Sequence, residues 1–500
     1  MIKKLTQEEL VCHLKLPIFN IISEEADAIN RECYVVGGFV RDIFLQRPSK
    51  DIDCVTVGSG IELAERVAKR LGRGSHLSVF RNFGTAQVKY RGLEVEFVGA
   101  RKESYSHDSR KPVVEDGTIE DDQNRRDLTI NDMAICLNKA RFGELVDPYH
   151  GMDDLEAGLI RTPLDPDITF SDDPLRMMRA VRFACRFGFK IVPDTFEAIA
   201  RNRERIKIIS AERIIDELNK IMMCEQPSVG WALLQRCGLL QIIFPELQAL
   251  SGIETKEGRG HKDNFVHTIT VLDNVCRAQS NKAADQGQQT SEEGKAEFDK
   301  TLYLRWAAVM HDLGKAKAKA WDEKIGWTFH NHDYLGSRMV MNIFRRLKLP
   351  LGAEEKYVEK LVLLHMRPIN LADEGITDSA IRRVLFEAGD DIDDLMCLCE
   401  ADITSKIPEK VRRFLDNFKV VRQKMAEIEA KDNIRNMKIP VDGVEIMERY
   451  GLTPSREVGT LREAEKNAIL DGIIHNDREE ALAFLDKMAA EMGLVIKGKE

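Results

Sequence analysis

Five hundred residues exceed what one hydrophobic core organises, so two to four domains are expected. Apolar residues make up 43% of the chain and charged residues 31%, an ordinary globular balance, and no apolar run approaches the ~18 residues needed to span a bilayer. The net charge of −9 excludes a protein that coats nucleic acid indiscriminately, but not one with a local basic groove.

The opening "MIKKLTQEEL" lacks the apolar core of a secretory signal, so a cytoplasmic location with no membrane partner is expected. The ten cysteines are scattered without a CxxC pair, which argues against a disulfide framework or a structural zinc site. Up to about residue 150, "ECYVVGG", "DIDCVTV", "AQVKYRG" and "LEVEFVGA" are β-rich runs bounded by Gly or polar residues. Between them "GIELAERVAKRLG" has helical spacing and a terminal Gly stop. From about residue 154 onward the apolar periodicity is helical. The expected fold class is therefore α+β, a small mixed-sheet head followed by a helical body. Residues 278–297 contain no Ile, Leu, Val, Met or aromatic residue and read as a flexible insertion.

Asp51 and Asp53 alternate on a strand, so both carboxylates leave one face, about 7 Å apart by the rise per residue. Two like charges on a half-buried face call for a cation, and oxygen ligands suit a hard divalent ion such as Mg²⁺. Gly37 and Gly38, just upstream, allow close approach of backbone N–H groups to a phosphate, and Arg41 adds a phosphate-pairing fork. Glu94 and Glu96 share a face of another strand; spacing alone does not choose which of them is a third carboxylate.

These residues, followed in order by "RRDLTINDMA", "VDPYHGMDDLEAGLIRT" and "DDPLRMMRAVRFACRFGF", resemble the bacterial-type tRNA nucleotidyltransferase and poly(A) polymerase family over roughly residues 30–250. The resemblance implies a nucleotidyltransferase head of the DNA polymerase β type, then helical neck, body and tail. It makes Asp51, Asp53 and Glu96 the catalytic carboxylates, the two aspartates holding magnesium; Glu96 is preferred because it precedes Arg101 as in the family. It assigns the triphosphate to Gly37, Gly38 and Arg41, and associates Arg126, Asp127 and Asn131 with ribose and triphosphate. Asp132 departs from the small residue common in the family.

In "SDDPLRMMRAVRF", Asp172 is the expected N-cap, and Asp173 and Arg176 share a helix face. A carboxylate accepts from an exocyclic amine and a guanidinium donates to a bare ring nitrogen. Cytosine and adenine offer both features; guanine and uracil do not. The same spacing also serves a plain helix ion pair, but the family's nucleotide-reading motif falls here. Arg179, Arg182 and Arg186 continue the face, toward triphosphate, RNA backbone or acidic neighbours. Residues 175–207 carry nine Lys/Arg against three Asp/Glu.

Six of the eleven histidines fall between His261 and His365. The order His267, His311-Asp312, Asp402 resembles the HD superfamily of metal-dependent phosphohydrolases. It implies that these four bind one divalent transition metal of open identity, and that His332 and His365 match positions for a second. Expected domains are 1–153 (catalytic head), 154–250 (neck), 251–408 (HD-type) and 409–500 (RNA-binding tail). The expected activity is addition of CCA to the tRNA 3′ end from CTP and ATP, with HD-domain hydrolysis beside it. The alternatives are a poly(A) polymerase or a CC- or A-only enzyme, or an HD phosphohydrolase with a non-catalytic RNA-binding head.

Overall fold

The computed structural model describes residues 4–49, 51–106, 109–285, 298–374, 377–405 and 407–497. The chain divides into two compact units, Met1–Gln248 and Ala249–Glu500.

The first unit is built on a seven-stranded mixed sheet. Its strands are β1 (Cys33–Val36), β2 (Asp51–Thr56), β3 (Ser75–Phe80), β4 (Thr85–Tyr90), β5 (Leu93–Gly99), β6 (Ala134–Cys136) and β7 (Leu145–Val146), in the order β3-β4-β5-β2-β1-β6-β7. Only β2 and β5 pair in parallel; the other neighbours are antiparallel. On β2, exposed Asp51 and Asp53 alternate with buried Ile52 and Cys54, so apolar packing on one face aims the carboxylates from the other.

Helix α1 (Gly38–Phe44) joins β1 to β2, and α2 (Gly60–Leu71) covers the sheet with Leu63, Ala64 and Val67. Helix α2 ends at Gly72 in the left-handed region, φ 67°, as the terminal Gly predicts. It starts so close to β5 that a Cβ on Gly60 would lie 2.7 Å from the Val98 carbonyl carbon. Helix α3 (Ile119–Asn124) precedes the Arg125-Arg126 pair. Beyond residue 150 this unit is helical apart from a two-residue parallel ribbon, Leu159–Ile160 with Lys190–Ile191.

Helix α4 (Leu175–Phe187) begins differently from the expectation. Asp172 does not cap it but is the last residue of the preceding helix, Pro166–Asp172. Pro174 occupies the N-cap position without a side-chain cap, and Asp173 just before it accepts the Leu175 N–H at Oδ1, at 3.1 Å. Pro174 forbids a continuous helix through this point, because it lacks an N–H and biases Asp173 toward extended backbone. Helix α5 (Ala211–Met222) packs against α4.

The second unit contains α6 (Asn264–Asp285), α7 (Lys300–Met310), α8 (His332–Leu347), α9 (Ala353–Leu364) and α10 (Ile392–Ala401). Four further helices follow, Pro408–Asp432, Gly443–Tyr450, Arg456–Leu470 and Arg478–Glu491. Short hairpins at 255–260 and 320–328 carry its strands. The segment expected as a flexible insertion is helical through Asp285, as the end of α6; its remainder, 286–297, lies outside the described residues. Helix formation there needs no apolar face, since Ala, Gln and Lys are strong helix formers.

Phe97 of β5 is fully buried beside the carboxylate strand. Phe97→Ala is expected to destabilise the first unit by about 3–5 kcal/mol, seen as a lower urea midpoint for its unfolding transition.

Candidate active sites

In the first unit, β1, α1, β2 and α4 surround an open cleft of about 610 Å³. Eight arginines and five aspartates line it, a surplus of positive charge suited to a polyanion. Asp51 and Asp53 lie on its wall. The parallel register sets Glu94 beside Asp51 and Glu96 beside Asp53. Glu94 is engaged, with Lys89 Nζ at 2.6 Å and Gln87 Nε2 at 3.1 Å. Glu96 is adjacent to Asp53 but is not among the cleft-lining residues.

Asp53 is open to the cleft, yet the surrounding protein desolvates its carboxyl and pushes it above its ordinary range, opposed by Arg126 and reinforced by Glu96 and Asp51. That like-charge crowding is relieved by a divalent cation, so the donor set fits a metal held by Asp51 and Asp53 with Glu96 beside them.

The glycine turn is explained by its backbone: Gly37 has φ 73°, a region L side chains rarely adopt, and its Cα lies close to Arg126 and Asp53. Arg41 is buried: its Nη1 donates to Asn131 Oδ1 at 2.6 Å, its Nε donates to Asp42 Oδ1 at 2.9 Å, and its guanidinium lies 5.1 Å and 4.9 Å from the Phe183 and Phe187 ring centroids. Asn131 Nδ2 donates to Asp127, whose other oxygen takes Arg179 Nε at 2.5 Å. Burial works against the Asp127 charge, but Arg179 and Asn131 keep its carboxyl below the usual range.

Asp173 and Arg176 both line the cleft but are not paired with one another. Asp173 Oδ2 meets Arg213 Nη2 of α5 at 3.2 Å. Arg176 donates to the carbonyls of Arg125 at 2.6 Å and Thr169 at 3.4 Å. Each side chain is thus oriented by a third group, unlike an isolated helix ion pair. Arg179 and Arg182 take the acidic neighbours, Asp127 and Glu217 respectively, while exposed Arg186 also lines the cleft. Sequence spacing missed Arg213, which reaches the cleft only because α5 packs on α4.

In the second unit six residues converge from the ends of five helices. His267 Nε2 lies 2.8 Å from Asp402 Oδ1 and 3.3 Å from Asp312 Oδ2. His311 Nε2 is 3.3 Å from Asp312 and 3.6 Å from Asp402. His332 Nε2 is 3.4 Å from Asp312 Oδ1 and 3.2 Å from His365 Nε2. His261 and His330, the other histidines of this stretch, stand outside these two groupings.

The opposite ring edges fix the lone pairs. Nδ1 of His311, His332 and His365 donates to the carbonyls of Ala308, Phe329 and Val362, at 2.8, 2.8 and 2.6 Å, and His267 Nδ1 meets the Thr404 hydroxyl at 2.8 Å. Bare Nε2 atoms of His332 and His365 therefore face each other. His311 Nε2 and Asp312 Oδ1 are buried without hydrogen-bond partners. Burial pushes His365 down to about 4, keeping it neutral and able to ligate. Facing acceptors of this kind fit divalent metal, with Asp312 shared between the two halves.

Comparison with known proteins gives three family matches along the chain. Residues 33–161 match the Poly A polymerase head domain, 188–250 the "Probable RNA and SrmB- binding site of polymerase A", and 265–407 the HD domain. A multifunctional CCA protein of Shewanella frigidimarina is 30% identical over 75% of this chain and 84% of its own length. One of Pseudomonas fluorescens is 33% identical over 65% of this chain and 72% of its own. The chain belongs to the multifunctional CCA protein family. The family's fold extends beyond the sequence similarity: the Thermotoga maritima CCA-adding enzyme complexed with tRNA superposes with a TM-score of 0.60 at 21% identity, covering 97% of this chain and 99% of that one. The head and HD domains of this family imply use of divalent metal. Among the described residues, no helix is long and apolar enough to cross a membrane.

Saturating Mn²⁺ is expected to raise the thermal midpoint of the protein, with a stabilisation of about 2.7 kcal/mol at a hundredfold excess over Kd. In Asp312→Ala that rise should shrink sharply, since both halves of the cluster lose their shared carboxylate; equal rises in the two proteins would refute a metal there.

Proposed function

We propose that this chain adds CCA to the 3′ end of tRNA from CTP and ATP without a template, and hydrolyses phosphate esters at its HD site. The observation that carries the first half is the pair Asp51 and Asp53 beside an arginine-rich cleft that also presents Asp173 and Arg176. The RNA 3′-oxygen attacks the α-phosphorus, and pyrophosphate leaves. Gly37, Gly38, Arg41 and Arg126 cradle the triphosphate; Asp127 and Asn131 hold Arg179 and Arg41 in place. Asp51 and Asp53 would hold magnesium, which would supply charge neutralisation at the reacting phosphate and lower the pKa of the attacking hydroxyl.

Asp173 accepts the exocyclic amine of C or A, and Arg176 donates to the bare ring nitrogen. Arg213 and the two carbonyls keep both side chains from collapsing onto each other. With tRNA as substrate, the protein works in the cytoplasm. The head (1–153), neck (154–250), HD domain (251–408) and tail (409–500) divide the labour as catalysis, base selection, hydrolysis and RNA grip.

At the HD site, His267, His311, Asp312 and Asp402 hold one divalent metal and His332 and His365 extend the site toward a second. A divalent metal held by these residues would supply activation of water for phosphate-ester hydrolysis. A small cavity of about 170 Å³ adjoins the cluster. Its wall includes Lys315, whose amine is 2.6 Å from Asp312 Oδ2, and Lys319, whose amine is 2.8 Å from Glu254 Oε1 on the same wall.

Purified protein with Mg²⁺ and tRNA lacking its 3′ end is expected to add two C residues from CTP alone, and CCA when ATP is present. No C addition refutes the reading in favour of poly(A) synthesis. Asp53→Ala is expected to reduce addition to background; full activity in that variant would make the head a non-catalytic module. His311→Ala should abolish hydrolysis of bis-p-nitrophenyl phosphate while leaving CCA addition within about twofold, as separate sites require. Loss of both activities would show that they are coupled.

A further inference from the structure

Behind the triphosphate wall lies a carboxylate with no assigned role. Asp132 is completely buried, and neither of its side-chain oxygens has a hydrogen-bond partner. Its backbone carbonyl accepts from Gln123 Nε2 at 3.0 Å, which pins the residue. The nearest cation is Arg126, whose Nε stands 4.0 Å from Asp132 Oδ1. That is ion-pair range without a hydrogen bond.

Arg126 is already committed to Asp122, which takes its Nε at 3.1 Å and Nη2 at 2.9 Å; its Nη1 donates to the Asn131 carbonyl at 3.3 Å and lies against Gly37. Asp122 also accepts two bonds from Arg125. Two guanidinium charges thus share one carboxylate. With Asp132 neutral, one positive charge remains for the cleft, which both arginines line. With Asp132 ionised, that surplus vanishes and Arg126 has a second anion pulling it inward.

The surroundings decide which form prevails. Asp122, Asp127 and Asp147 face Asp132 with like charge, Tyr149 adds a phenol, and Arg126 is the single opposing cation among these neighbours. Burial, reinforced by the three aspartates and opposed by Arg126, pushes the Asp132 carboxyl up to about 8.

We propose that Asp132 is a positioning residue for the nucleotide triphosphate: as a neutral acid it leaves the charge of Arg126 turned to the cleft, and its ionisation withdraws that charge and weakens nucleotide binding. This rests on the assignment of the triphosphate to the cleft. An uncharged acid costs less than a buried unpaired carboxylate and still fills the space that packs Arg126 in place. The expected consequence is a nucleotide affinity that declines on the alkaline side while the chemical step is spared.

The test is the pH dependence of KM and kcat for CTP, from pH 6.5 to 9.5, in the full-length protein and in Asp132→Asn. The amide matches the shape of the neutral acid and does not ionise. The wild-type KM should rise roughly tenfold relative to the variant between pH 7 and pH 9.5, the scale of one charge interaction at a partly solvated site. The kcat ratio should stay constant, and Asp132→Ala should show the same flat KM profile. Superimposable KM profiles for wild type and Asp132→Asn overturn the proposal. Arg126→Ala separates this failure from failure of the underlying assignment: a KM unchanged at pH 7 would remove the triphosphate from Arg126 altogether.

Thermal unfolding supplies a second arm. Since the folded carboxyl is raised from 3.8 to about 8, the wild type loses stability relative to Asp132→Asn as pH rises from 4 to 8, and no further above that. A pH-independent difference in midpoint overturns the proposal as well.

Discussion

The crowding of negative charge along β2 is the constraint around which the first unit is arranged. Asp51 and Asp53 leave the same face of one strand, and the parallel pairing with β5 adds Glu96 beside Asp53. Within the folded chain, Arg126 opposes this charge at Asp53. Gly37 stands between Arg126 and Asp53 with φ 73°, a conformation L side chains rarely adopt. Arg41 is buried against two phenyl rings so that its fork stays at the cleft. A site so loaded with acid and guanidinium is stable as a receptor for a cation and a polyanion that neutralise each other's surplus.

The arginines of α4 show how packing sorts chemically identical side chains. Arg176, Arg179, Arg182 and Arg186 all line the cleft. Arg182 pairs with Glu217 in nearly complete burial, so it serves to fasten α5 to α4. Arg179 is tied to Asp127. Arg176 is anchored through the carbonyls of Thr169 and Arg125 rather than through a carboxylate. Which partner each guanidinium takes is a property of the assembled helices.

The HD site works on the opposite logic. Three of its histidines, His311, His332 and His365, are oriented by hydrogen bonds on their outer edges. Burial favours the neutral form of His332 and His365, whereas at His311 burial is outweighed by the carboxylates of Asp312 and Asp402, which raise the imidazole to about 10. The aspartate shared between the two groups of histidines, Asp312, ties the halves together.

By itself the sequence determined the chemistry and much of its order. The DxD alternation, the glycine turn and the shared helix face of Asp173 and Arg176 were legible because each depends on short-range spacing, period two on a strand or 3.6 on a helix; the HD residues, spread from His267 to Asp402, were legible only through an order that resembles the HD superfamily. The stop of α2 at Gly72 was legible for the same reason. Spacing left Glu94 and Glu96 open and the family resemblance preferred Glu96; the tertiary structure adds that Lys89 and Gln87 reach Glu94 from the neighbouring strand β4. It replaced Asp172 by Asp173 as the residue bonding into the start of α4, since a preceding helix uses Asp172 first. It also brought Arg213 to Asp173 across 40 residues and enclosed Asp132 behind Arg126. Those choices turn on desolvation and on contacts between distant segments, and neither quantity exists until the chain has folded around them.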